Sequence, residues 1–172
     1  SVGDKADLRR DKIMVDGRPL GGSEEKRYLM LYKPRGYVTT LKDERGRKTV
    51  ADLVHGCGAR VVPVGRRDYN SEGLLLLTND GALAHRLLSP KSHVDKVYYA
   101  RVEGALEPAD AAAFAAGMTL GDGLECLPAG LEILSPGECL VTLREGKFHQ
   151  VKRMLAARGK PVTYLKRLSM GP

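Results

Sequence analysis

Leu74-Leu75-Leu76-Leu77 is a continuous apolar block, closed by Gly73 on one side and by Asn79-Asp80-Gly81 on the other. A short apolar run bounded by turn residues predicts a strand buried on both faces. Ahead of it, Arg60-Val61-Val62-Pro63-Val64 predicts a second strand, leaving the polar stretch from Gly65 to Glu72 as a turn. Behind it, Asp80 is placed to cap a helix that carries Leu83 and Leu87 inward and ends at Pro90.

The remaining apolar periodicity is mostly that of strands. Tyr28-Leu29-Met30-Leu31-Tyr32 predicts a strand that stops at Lys33-Pro34-Arg35-Gly36 and resumes over Tyr37-Val38-Thr39-Thr40. Residues 41–48 are charged without periodicity and predict a loop. Lys96 to Val102 is β-rich, and residues 107–116 are helical by composition, with Pro108 in the first turn and Gly117 as the stop. Residues 131–134 and 139–143 predict antiparallel strands around Ser135-Pro136-Gly137-Glu138. A last helix is expected from about Phe148 to Arg158, stopped by Gly159, and a strand over Pro161-Val162-Thr163-Tyr164-Leu165. Near the start, Lys12 to Gly17 reads as one strand with a tight turn, and residues 21–26 as a linker. Strands outnumber helices and do not alternate with them, so the expected class is α+β, with a mainly antiparallel or mixed central sheet flanked by a few helices and loops.

Length and charge narrow the picture. The 172 residues suffice for one domain, or one domain with a short appendage, and the formal net charge of +7 points to a polyanion, nucleic acid before membrane. No run approaches the roughly 18 apolar residues of a membrane span, and the start at Ser1-Val2-Gly3-Asp4-Lys5 has no secretory apolar segment. A cytoplasmic protein is expected. Cys57, Cys126 and Cys139 are scattered, which fits free thiols in a reducing compartment better than metal ligands. Phosphate-loop glycines, a nucleophile elbow and a zinc pattern are all absent, so neither metal nor cofactor is expected.

Two places can carry chemistry. Asp68 sits on a turn between two buried elements, where a rigid scaffold can aim a carboxylate; an ordinary Asp-Tyr-Asn-Ser turn fits the same residues. In the last helix Val151, Met154 and Leu155 share an apolar stripe beside His149, Lys152 and Arg153. That arrangement presents cations at the margin of a buried face, and it equally describes a helix whose charges meet only water.

Four segments taken together resemble the pseudouridine synthases of the RsuA/RluB type, which isomerise specific uridines in ribosomal RNA. Tyr32-Lys33-Pro34-Arg35-Gly36-Tyr37 is similar to the family's first motif, and Gly65 to Gly81 to its signature around the catalytic aspartate. Lys96-Val97-Tyr98 is similar to the Lys-x-Tyr element, and Glu145 to Met154 to the last motif. The resemblance implies a catalytic domain over residues 27–172, with residues 1–26 as an N-terminal remnant of an S4-like domain and a linker. It implies Asp68 as the catalytic carboxylate, Tyr98 at the base, Lys152 as the cation beside Asp68, and Val151 packed under the pocket. A cation within about 4–6 Å favours the ionised carboxylate. Arg66, Lys33, Arg35, Lys147 and Arg153 are the expected RNA contacts, with Arg66 filling the gap left by a flipped base.

The resemblance further implies a monomer whose partner is ribosomal RNA, and the run Phe148-His149-Gln150-Val151-Lys152-Arg153 is closer to the enzymes of the small subunit, hence 16S RNA. Arg67 departs from the family's usual leucine and Ser71 from its threonine. The family also commonly carries a complete S4-like domain and extends beyond Met170-Gly171-Pro172. These departures leave a second reading open, a non-catalytic RNA-binding or ribosome-assembly module on the same fold.

Overall fold

The computed structural model describes residues 14–19, 24–92 and 94–171. Met14–Val15 (β1) and Arg18–Pro19 (β2) pair with each other around Asp16-Gly17. Lys12 and Ile13 of the expected strand, and residues 21–23 of the expected linker, lie outside the described residues.

The main sheet has seven strands and is mixed, within an α+β fold. Tyr28–Lys33 (β3) lies antiparallel along Glu72–Thr78 (β5), and the short strand Val62–Pro63 (β4) takes the far end of the opposite edge of β5. Val162–Met170 (β9) joins that same edge at its near end, parallel to β5 through Glu72 and Gly73. Beyond it come Lys96–Val102 (β6), Glu138–Leu143 (β8) and Gly130–Ser135 (β7), all antiparallel. Because β4 and β9 share one edge of β5 and diverge, the connection from residue 64 to 71 is held open between them. The turn carrying Asp68 lies in that opening.

Two apolar clusters flank it. The larger joins Tyr98, Ala100, Val141, Leu143 and Leu165 of the sheet to Phe114 of the helix Pro108–Ala116 (α3 below) and to Val151, Met154 and Leu155 of the last helix, Gln150–Ala157 (α4 below). The smaller gathers Val50, Val61, Leu75 and Leu77. The four-residue helix Ala51–Val54 (α1), not anticipated from the sequence, follows Val50. Gly81–Leu88 (α2) is capped as expected, Asp80 accepting from the Leu83 N–H at 3.1 Å.

Three expectations change. In β5 only Leu75 and Leu77 face the core while Leu74 and Leu76 are half-buried, so the strand alternates rather than being buried on both faces. Tyr37 to Thr40 forms no strand: Val38 makes a single bridge to Thr49, and Thr39 turns inward to serve the loop at Arg67. The last strand runs to Met170 because β6 offers it partners along its whole length.

Candidate active site

Asp68 is braced from three sides. Lys33 ends β3 with its side chain fully buried, and its ammonium donates to the carbonyls of Pro34 (3.1 Å), Asp68 (3.0 Å) and Ser71 (2.8 Å). The Ser71 N–H donates to the Asp68 carbonyl at 3.1 Å, which closes the turn. Thr39 Oγ donates to the Arg67 carbonyl at 2.8 Å and accepts from the Arg67 N–H at 3.1 Å. A buried ammonium satisfied by three backbone carbonyls is a local anchor, since each unpaired acceptor there would carry a desolvation penalty. Burial pulls the Lys33 ammonium down to about 8, with Arg67 repelling it and Asp68 favouring it. Lys33, expected to contact RNA, has no exposed surface to do so; its charge is spent beneath the loop.

The Asp68 carboxylate meets the start of α4. Lys152 Nζ lies 3.1 Å from Oδ2, and His149 Nε2 lies 3.4 Å from Oδ1. The stripe of Val151, Met154 and Leu155 is buried as its spacing predicts, which turns Lys152 toward the cleft. His149 precedes the helix in the left-handed region at φ 49°, a conformation uncommon for residues other than glycine. Helix periodicity placed His149 beside Lys152 on the basic stripe and gave no sign of this second contact to Asp68.

The cleft has a volume of about 850 Å³, ample for a nucleotide. Its lining includes Asp68, Tyr98, Val151 and Lys152, the four residues expected at the centre. Tyr98 is buried there under the Arg67 guanidinium, whose carbon lies 5.0 Å from the ring centroid. Arg66 is exposed at the lining, and Lys147 is half-buried in it. Arg35 is exposed but outside the lining, and Arg153 is paired with Asp122. Lys147 is tied to Glu145 at 3.3 Å and to the Glu125 carbonyl. Glu145 in turn accepts from Gln150 at 2.7 Å and from the Leu127 N–H at 2.8 Å, which fixes the approach to α4. Phe148 stands in the lining with 76% exposure, its ring 4.0 Å from that of His149. Its exposed ring between two polar segments was not singled out by periodicity, which marks apolar residues only when they repeat.

Cations dominate this cleft: Arg47, Arg66 and Lys147 with the buried Arg67, Lys96 and Arg167 face few carboxylates besides Asp68 and Glu145. Lys96 is held below its ordinary pKa, chiefly by burial and then by Arg167. Among the described residues no cluster of His, Cys, Asp and Glu is arranged to hold a metal, and no helix is long and apolar enough to cross a membrane. Cys126 and Cys139 are buried free thiols, and burial pushes Cys139 up to about 11.

A crystal structure described as a pseudouridylate synthase superposes with a TM-score of 0.81 over 99% of this chain and 74% of its own, at 36% identity. The chain belongs to the RNA pseudouridylate synthase family, whose sequence profile matches residues 27–157. It is similar to ribosomal large subunit pseudouridine synthase B of Bacillus subtilis, 39% identical over 91% of this chain and 66% of the relative. It is also similar to ribosomal small subunit pseudouridine synthase A of Salmonella typhimurium, 37% identical over 95% of this chain and 71% of the relative. The protein is therefore a pseudouridine synthase acting on RNA, related to both the small- and large-subunit types.

Proposed function

We propose that the chain converts one uridine of ribosomal RNA, in the 16S RNA of the small subunit, to pseudouridine, with Asp68 as the carboxylate that acts at the sugar. The observation that carries this reading is the Asp68 carboxylate held between Lys152 at 3.1 Å and His149 at 3.4 Å inside a cationic cleft. The reaction breaks C1′–N1, turns the base and joins C5 to C1′. An ionised carboxylate can serve it as a nucleophile at C1′, or as the base that removes the 2′ hydrogen to form a glycal. Lys152 holds and aims that carboxylate, and Tyr98 lies against the base. The uridine must leave its stack to reach the cleft, at a cost of a few kcal/mol. Arg66, at the exposed lining next to the catalytic turn, fills the vacated place, while Arg35, Lys147 and Arg153 neutralise phosphate. The assignment to 16S RNA rests on the run from Phe148 to Arg153.

The test is pseudouridine mapping of 16S and 23S fragments incubated with wild type and Asp68→Asn. The expected result is one site in 16S RNA made by wild type and none by the variant. Undiminished modification by Asp68→Asn removes that residue from the chemistry, and a site found only in 23S RNA moves the assignment to the large subunit.

A further inference from the structure

Arg67 is 8% exposed, and its Nε and Nη2 find no hydrogen-bond partner in the structure. Its side chain lines the same cleft as Asp68, with the guanidinium carbon 5.0 Å from the centroid of the Tyr98 ring. Burial chiefly holds the guanidinium below its ordinary pKa; Arg167 repels it, while Tyr98 and Asp68 favour its charge. A buried cation with idle donors is strongly unfavourable in the free protein and finds its compensation when an acceptor enters.

Depth decides which acceptor that is. The phosphates of an RNA strand remain with its backbone, at the level of exposed residues such as Arg66 and Phe148. Arg67 instead shares the buried part of the lining with Tyr98, Leu143, Val151 and Leu165. Only the flipped base leaves the backbone far enough to reach that level. Uracil carries two carbonyl oxygens and no negative charge in the ground state, so a guanidinium that binds them weakly at first binds them far better once charge develops.

We propose that Arg67 binds the carbonyl oxygens of the flipped uracil and stabilises the negative charge that the base acquires when C1′–N1 breaks. This rests on the reading of the site given above. The bonding pair of C1′–N1 stays on the ring and spreads over N1 and the carbonyl oxygens. After the ring turns, C5 supplies the pair that forms the bond to C1′. The proton on C5 is then lost and N1 gains one, so the step balances as an isomerisation under either role of Asp68. The Tyr98 ring packs against the guanidinium, and the Thr39 clamp on the Arg67 backbone fixes its origin.

The experiment is single-turnover conversion of a ribosomal RNA fragment by wild type, Arg67→Leu, Arg67→Ala and Arg67→Lys, with RNA affinity and thermal midpoint measured on each. Arg67→Leu installs the residue the family usually carries, and it is expected to slow the bound-state rate of this chain about tenfold, less than the roughly 10²–10³-fold lost with an indispensable donor. Its RNA affinity is expected to stay within about threefold of wild type, because the loss is confined to the transition state. Its thermal midpoint is expected not to fall, since an unpaired buried cation has been replaced by an apolar side chain. Arg67→Lys is expected to recover part of the rate, and Arg67→Ala to regain rate with free guanidinium but not with potassium chloride at equal ionic strength. A wild-type rate in Arg67→Leu overturns the assignment, as does a loss that falls on RNA affinity with the bound-state rate intact, which would put Arg67 on a phosphate. If wild type makes no pseudouridine in either ribosomal RNA, the reading on which the assignment rests fails with it.

Discussion

A β-carbon on Gly73 would fall 2.2 Å from the carbonyl oxygen of Arg167, where β5 and β9 meet. Gly73 also has φ 107°, which disfavours any other residue. The parallel pairing through Glu72 and Gly73 seats β5 against β9, whose Arg167 lines the cleft. Gly73→Ala is expected to cost more than about 3 kcal/mol of stability, through backbone strain and the forced separation of the strands. Denaturant unfolding measures this directly, and a midpoint equal to wild type would show that β9 can move without cost.

Lys33 gives the site an alkaline limit. Its ammonium needs all three hydrogens for the carbonyls of Pro34, Asp68 and Ser71, and burial lowers its pKa from 10.5 to about 8. A neutral amine has two hydrogens, so one carbonyl loses its donor and the turn carrying Asp68 loosens. Turnover is expected to fall as pH rises through about 8. Stability moves the other way for this group: between about 8 and 10.5 the unfolded chain holds the proton that the folded chain has released, so unfolding free energy rises with pH there. Lys33→Met should be poorly active at every pH and should lack the limb near 8. A wild-type profile flat to pH 9.5 would contradict this.

Lys152 makes its contact to the Asp68 carboxylate at 3.1 Å without being needed for the core, which its neighbours Val151, Met154 and Leu155 supply. Lys152→Met is expected to leave the thermal midpoint nearly unchanged while lowering the single-turnover rate about 10²-fold. RNA affinity should change little, because one phosphate-independent charge is removed. A loss of affinity with an intact rate would place Lys152 on the RNA rather than on Asp68.

The sheet and the helix α4 were legible because each obeys a period that burial imposes. Val151, Met154 and Leu155 recur at helical spacing, and β6 is bounded by turn residues. The two misplacements in the site share one cause. A lysine followed by Pro-Arg-Gly has every local mark of a surface residue, and two of the three carbonyls that make its burial tolerable lie 35 and 38 positions away. His149 was readable as part of a basic stripe, but its left-handed backbone, which brings the imidazole to Asp68, has no signature in residue spacing. Tyr37 to Thr40 has strand composition, and yet Val38 bridges Thr49 and Thr39 hydrogen-bonds Arg67 instead of joining the sheet. Partners distant in sequence decided each case.

Asp110 ties α3 to the end of α4 from a fully buried position. Its carboxylate lies 2.8 Å from Arg158 Nε and 3.2 Å from Lys160 Nζ, and it accepts from the Glu107 N–H at 2.9 Å. Burial opposes ionisation, but the Glu107 N–H, Arg158 and Lys160 outweigh it and hold the carboxyl below its ordinary range. A carboxylate depressed in the folded state contributes stability that is present above 3.8 and is lost as pH falls through the folded value. Asp110→Asn is expected to cost on the order of 2 kcal/mol at neutral pH. The difference from wild type should shrink below pH 4, and a difference constant down to pH 2 would show that packing rather than charge is involved.

Phe148 is an apolar ring with 76% exposure at the lining of a cationic cleft, next to His149 and hence to Asp68. It contributes little to the core from that position, so removing it should leave the unfolding midpoint within about 0.5 kcal/mol of wild type. For an enzyme that must draw a uridine out of its stack, a free aromatic face offers a base an alternative stacking partner, worth about 1–3 kcal/mol per base. Phe148→Ala is therefore expected to weaken binding of the ribosomal RNA fragment about 5- to 160-fold, the range those energies convert to. Stacking does not neutralise phosphate, so the dependence of affinity on salt should keep the wild-type slope. Arg66→Ala should instead lower that slope, which separates the two contributions in one titration series. Equal RNA affinity in Phe148→Ala and wild type would mean that the ring faces solvent in the complex as well.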